Sequence, residues 1–354
     1  MDNLIFSLNA MMPLFLLMVT GMVLRRFGVV SEPVANGMNK FVFVIGIPVL
    51  LFHDLATTDI SKAWDPGFIL FCFAGTVGGI AVAFLFSLLF RGRSYQGEFV
   101  QAAYRSSASM IAIGVMQNIY GTSGMAPLMV IGAVPLYNIM AVVILVFMRP
   151  RGEARGGADA SSGADTSSAT GACATAGGRA AAGASAAVPE KAASSADSLV
   201  FTTLRDVVTN PIIIGIVSGL AWAVIGLPMP TILDKTLESI SDAVTPVGFI
   251  AMGVLFDARR ALAVRGPAFL ATALKLVGLA AVTLPPAVAL GFRGQELVAV
   301  LVMAGSATTL SSFVMARNMG HDGTLTSSVV MLSTLLSAFT LTGWLWLLKE
   351  LALI

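Results

Sequence analysis

The sequence predicts an all-α integral membrane protein with ten transmembrane helices, arranged as two inverted five-helix repeats. Three observations predict it. The 354 residues are 56% hydrophobic and only 11% charged, with a mean hydropathy of +0.87, and apolar stretches of bilayer-crossing length recur from end to end. Lysine and arginine fall unevenly between alternate loops. A short hydroxyl-rich motif occurs twice, once in each half of the chain.

The spans follow in order. The first, 4–24, is followed rather than preceded by Arg25-Arg26, so it reads as a helix and not as a signal peptide. The second, 36–57, carries GIPVLLF, and the third covers 67–90. The fourth, 97–119, contains Arg105 and the first copy of the motif; the fifth covers 124–148. Residues 151–198 are dominated by Ala, Gly and Ser without apolar periodicity. Such a stretch cannot bury enough surface to offset its ordering entropy, so it reads as a disordered cytoplasmic linker between units 1–150 and 199–354. The remaining spans are 207–227, 232–256, 266–290, 294–316 and 324–348. Only helices or closed barrels satisfy every backbone group in lipid, and these runs are too long and uniformly apolar for barrel strands.

The basic residues orient the bundle. With the N-terminus outside, fifteen lysines and arginines, among them Arg25, Arg91, Arg149, Arg260 and Arg317, fall on inner loops. Four (Lys62, Lys235, Arg293 and Lys349) fall outside, and Arg105 and Lys275 lie within spans. This asymmetry puts both termini outside the cell membrane and the linker in the cytoplasm. Five spans on each side of the linker give the halves opposite orientations.

The repeated motif marks equivalent places in those halves. Residues 106–121 read SSASMIAIGVMQNIYG and residues 305–320 read GSATTLSSFVMARNMG. Aligned without a gap, Ser107 meets Ser306 and Ser109 meets Thr308. Pro48 and Pro246, each in the second helix of its half, are a further matched pair and the expected helix hinges. Interrupted apolar segments at matching places in two inverted halves point to a transporter's binding site.

Other function classes find little support. No Walker-type phosphate loop, HExxH, GxSxG or paired catalytic aspartate pattern is present, so neither ATP drive nor intramembrane catalysis is expected. No basic patch interleaved with aromatics suggests nucleic acid. Cys72 and Cys173, and His53 and His321, form neither a disulfide framework nor a metal-ligand pattern, and no cofactor is expected. A secondary transporter of a small organic anion leads; a channel or sensor on the same fold is the alternative, with an intramembrane enzyme behind it. Uptake or efflux, the coupling ion (a proton or sodium) and a homodimeric state stay open.

The chain also resembles a known family. Its marks are NKFVFVIGIPVLLF, QAAYRSSASMIAIG, NPIIIGIVSGL, TPVGFIAMGVLF, ALKLVGLAAVTLPP and MAGSATTLSSFVMAR, in that order over nearly the whole chain outside the linker. This set resembles the auxin efflux carrier family of bacterial and plant transporters, which includes malonate and malate carriers. The resemblance implies a fold like that of sodium/proton antiporters, in which the fourth and ninth spans are broken and cross at mid-membrane. Family members often carry Asn and Pro at the crossing. Here Ser106, Ser107 and Ser109 stand in one span and Ser306, Thr308 and Thr309 in the other, with no proline in either core. Gly114 and Gly305 are then expected to supply the backbone freedom.

Arg105 is the sharpest candidate for chemistry. It lies about eight residues into its span, roughly 12 Å deep at the rise of a helix. A charge at that depth faces a cavity or a partner, and a guanidinium fork can hold a carboxylate with two hydrogen bonds; snorkelling or a structural acid is the plain alternative. The hydroxyl clusters would line the site with freed N–H groups and half-helix dipoles, or else serve close helix packing. Asp242, one turn before Pro246, could carry a coupling proton or merely be solvated at a helix end. Asp54, beside His53, and mid-span Lys275 are further coupling candidates, with snorkelling or structural pairing the alternative for the lysine.

Overall fold

The computed structural model describes residues 2–57, 65–149, 209–226 and 229–354. The expected linker 151–198, with Cys173, lies outside the described residues. Every regular element among them is helical. The first half contains α1 (Asp2–Arg26), α2 (Glu32–Phe41), α3 (Ile47–Ala56), α4 (Pro66–Ser87), α5 (Gln96–Tyr104), α6 (Ala108–Tyr120) and α7 (Ala126–Phe147). The second contains α8 (Pro211–Ile225), α9 (Thr231–Leu255), α10 (Ala258–Ala263), α11 (Arg265–Ala273), α12 (Leu279–Ala289), α13 (Gln295–Gly305), α14 (Leu310–Asn318) and α15 (Thr324–Glu350). Among the described residues, seven helical segments are long and apolar enough to cross a membrane, including Glu32–Ala56, Arg265–Ala289 and Gln295–Asn318.

Local sequence explains the helix ends. Asp65 caps α4, accepting from Phe68 N at 3.1 Å, and Asn210 caps α8, accepting from Ile212 N at 3.0 Å. Each cap is followed by proline, whose missing N–H costs nothing in a first turn. Two wide π turns are built into longer helices. Val42–Gly46 joins α2 to α3 and ends at the residue before the Ile47-Pro48 pair; Leu274–Gly278 joins α11 to α12 and carries Lys275. Such turns are common at functional sites. Pro48 thus follows an irregular turn, whereas Pro246 lies inside an uninterrupted α9.

Glycine sets the packing of one group of helices. A side chain at Gly253 of α9 would run into the Met18 carbonyl of α1, and one at Gly215 of α8 would come within 2.5 Å of the Pro48 carbonyl of α3. With no hydrophobic drive between helices in lipid, such backbone approach supplies the attraction. Helices α1, α3, α8 and α9 accordingly pack together. Opposite them stand α5, α6, α13 and α14, enclosed by α4, α7, α12 and α15.

Candidate functional site

Two helices are interrupted, and the interruptions lie against each other. The first falls between Tyr104 and Ala108, where Arg105 takes an extended conformation (φ −71°, ψ 134°). The second falls between Gly305 and Leu310, with Ser306 and Thr309 also extended. An interrupted helix leaves carbonyls unpaired at one end and N–H groups at the other. Here each break serves the other. Thr308 Oγ1 donates to Ala102 O of α5 at 2.8 Å, and Ser106 Oγ donates to Met303 O of α13. A backbone bond, Ser107 N to Ala307 O at 2.9 Å, joins the breaks directly. Tyr137 OH adds a bond to Met303 O at 3.0 Å, and Ser333 Oγ accepts from Thr308 N at 3.0 Å.

The two freed N-terminal ends, at Ala108–Ser109 and Leu310–Ser311, border one cavity of about 720 Å³. It runs from the crossing towards Thr57, Ser123 and Glu238. Arg105 lies on it and is buried, 2% exposed. Its Nη2 donates to Asn138 Oδ1 at 2.6 Å and Ser311 Oγ at 2.7 Å, its Nη1 to Met315 Sδ at 2.8 Å, and its Nε has no partner. All three partners are neutral. Among the described residues no carboxylate lies within ion-pair distance of it. The guanidinium therefore neither snorkels nor answers a structural acid.

The other sequence candidates divide. Ser106, Ser107, Ser109, Thr308 and Thr309 border the cavity, as do Asp54 and Asp242. Asp54 is half-buried beside the Ser109 hydroxyl, whereas Asp242 is exposed. Ser306 is fully buried away from the cavity, its hydroxyl without a hydrogen-bond partner among the described residues. Two expectations about glycine need correction. Gly114 lies inside α6, well past the break, so the chain turns without it, through extended residues. Gly305 is the last residue of α13, where a Cβ would meet Ala280 Cβ at 3.4 Å, an ordinary contact, so its backbone does not require glycine. Pro48 and Pro246 lie off the cavity. Lys275 is the larger surprise. It is fully buried and reaches the crossing itself, donating to Ser106 Oγ and, at 2.7 Å, to Ala304 O.

Several residues that matter here were not singled out by sequence. Asn138 and Tyr137 hold Arg105 and the crossing, and Gln101 Nε2 ties the breaks further by donating to Ser312 O at 2.9 Å. The available signal was a polar side chain in the middle of an apolar span. Glu98 is buried and accepts from Gly323 N at 2.9 Å and from Thr326 N and Oγ1 at 3.0 Å, capping α15.

At the opposite end from the cavity mouth, charges from both halves meet around a small polar cavity of about 190 Å³. Arg25 donates to Val254 O at 2.8 Å, Arg260 lies 3.3 Å from Asp322, and Arg317 donates to Asn36 Oδ1 at 3.1 Å. At the mouth, His53 Nε2 and Asp234 Oδ1 stand 2.9 Å apart.

The sequence profile of the membrane transport protein family matches residues 6–345. Auxin efflux carrier component 5 of Arabidopsis thaliana is 28% identical over 156 residues, 42% of this chain and 44% of that protein. Probable auxin efflux carrier component 5c of Oryza sativa subsp. japonica is 29% identical over 134 residues, 36% of each chain. The matched part of this chain spans less than half the length of these relatives.

Proposed function

The chain belongs to the membrane transport protein family, that of the auxin efflux carriers, whose members are transporters and not enzymes, and on that premise we propose that it is a secondary active carrier of a small organic anion. It is a multi-pass membrane protein. The substrate is a carboxylate, such as a dicarboxylate or an auxin-like acid, held where the two interrupted helices cross. One observation carries the reading: a buried arginine without an acidic partner lies on a cavity bordered by the N-terminal ends of two half-helices. Two positive dipole ends and a guanidinium with a free Nε–H favour an anion and disfavour a cation. Ser107, Ser109 and Thr309 supply hydroxyls around it.

The rest of the arrangement follows from this reading. Ten spans form two inverted halves, 1–150 and 199–354, whose breaks occupy matching positions. The linker 151–198 and the charged cluster around Arg260 face the cytoplasm, and the termini lie outside. The carrier works by alternating access, with the site in this conformation communicating with the side of Thr57 and Glu238. Asp54, half-buried beside Ser109, is the acid placed to carry a coupling proton; Asp242 is too exposed for that role.

The test is a thermal-shift screen of the purified chain against small carboxylates and their neutral amides, followed by counterflow in proteoliposomes. Carboxylates should stabilise the fold, by about 2.7 kcal/mol at one hundred times Kd, and the hits should show saturable exchange. A linear conductance, or stabilisation by amides equal to that by acids, would overturn the proposal.

A further inference from the structure

The breaks expose two C-terminal helix ends as well as two N-terminal ones. A helix C-terminus carries partial negative charge, and in carriers with broken helices such ends and their unwound carbonyls coordinate the coupling cation. In this chain the C-terminal end of α13 is already occupied. Lys275 Nζ donates to Ala304 O at 2.7 Å and to Ser106 Oγ, and Ser106 Oγ passes a hydrogen bond on to Met303 O. The last turn of α13 is thereby capped by an ammonium and a hydroxyl. The lysine is wholly buried, and among the described residues no carboxylate lies within ion-pair distance of it. Its countercharge is the helix end and its carbonyls. The π turn Leu274–Gly278 widens the helix at the residue that must reach across.

We propose that Lys275 is a tethered cation, held by the oxygens of Ala304 and Ser106 where a free coupling cation would otherwise bind, so that the carrier needs no sodium ion. The proposal rests on the reading of the crossing as the transport site. It adds that the positive charge required there is covalently attached. Trimming the side chain leaves two oxygens without their donor at a negative helix end, in a space the size of the lost ammonium. That is a site for a small monovalent cation.

The test varies sodium alone, so its outcome is independent of whether any carboxylate binds. Thermal unfolding of the full-length chain in detergent is followed while sodium chloride replaces choline chloride at constant ionic strength. The wild-type midpoint should not respond. Lys275→Ala should start lower and show a saturable, sodium-specific rise, reaching about an elevenfold gain in apparent folding constant at ten times Kd. Lys275→Ser, whose hydroxyl can still meet one of the two oxygens, should respond likewise and serves if the alanine variant does not fold. Folded Lys275→Ala or Lys275→Ser without a sodium-specific rise would make the lysine a structural cap only and overturn the proposal. A sodium-specific rise in the wild type equal to that of the variants would overturn it as well, and this arm requires no variant to fold.

Discussion

Replacing Arg105 removes the charge on which the proposed anion selection rests, and the size of the effect can be worked from its surroundings. The guanidinium has five N–H groups. Three are spent on Asn138, Ser311 and Met315, all neutral, which leaves Nε–H and one hydrogen on Nη1. A hydrogen bond to a charged group contributes about 1.5–3 kcal/mol. One such bond to a carboxylate is then worth roughly ten- to a hundredfold in affinity, at 1.4 kcal/mol per decade. Arg105→Ala should lose at least that much. It also strands Asn138 Oδ1 and opens a hole, so its stability should fall by about 1–3 kcal/mol and binding must be read in protein shown to be folded. Arg105→Lys keeps a charge but not the planar fork, and should recover only part of the affinity. The assay is titration of a carboxylate found in the screen alongside its amide. Wild type should prefer the acid, and Arg105→Ala should abolish most of that preference. If Arg105→Ala binds the acid as tightly as wild type and still discriminates against the amide, the arginine is a packing element and the reasoning fails.

Three further outcomes are expected. Gly253→Val places a side chain against the Met18 carbonyl, backbone that cannot rotate away, and should cost about 1–3 kcal/mol, seen as a lower unfolding midpoint; an unchanged midpoint would refute the seam. Glu98→Gln turns an all-acceptor carboxylate into a group that also donates, facing three donors, and should cost about 2–4 kcal/mol by the same measurement. At the charged cluster, N–H bonds from Arg260 and Arg259, with the Arg260 charge, hold the Asp257 carboxyl below its ordinary value of 3.8. A depressed folded-state value means that the stabilisation is complete above about pH 4 and is lost as pH falls below it. The difference in midpoint between wild type and Asp257→Asn should therefore shrink on acidification; a difference that grew would refute the sign.

The membrane class and the all-helical architecture were readable because they depend on composition summed over some twenty residues at a time. The places of the breaks were readable for a similar local reason: Ser106–Ser109 and Ser306–Thr309 interrupt apolar runs with side chains that bond to backbone. The fate of individual polar groups was not. Ser306 matches Ser107 in the alignment, yet one is sealed and the other borders the cavity, because Ser306 directly follows α13 whereas Ser107 directly precedes α6. Lys275 reads in sequence as a mid-span cation free to snorkel. Only the crossing brings Ala304 O to it, from 29 residues along the chain. Asn138 could have been flagged as an amide in an apolar span, but not as the partner of Arg105.

The closed circuit of bonds at the crossing constrains how the molecule can move. Thr308 closes Ala102, Ser106 closes Met303, and Ser107 is tied to Ala307. Pulling one break from the other would strand carbonyls on both helices where no water replaces the lost donors. The opposite wall of the cavity is equally stiff, with α1 seated on α9 and α3 on α8 through glycine contacts too close to slide. The two walls also meet through buried apolar contact, α1 on α15 and Gly248 of α9 on Leu310 of α14, and at an exposed rim Arg317 joins Asn36 and Arg260 joins Asp322. Such rim pairs exchange readily with water. Under the proposed alternating access, a solute held by the crossing would therefore travel with one rigid unit, the rim pairs breaking and re-forming in water while the buried apolar faces slide.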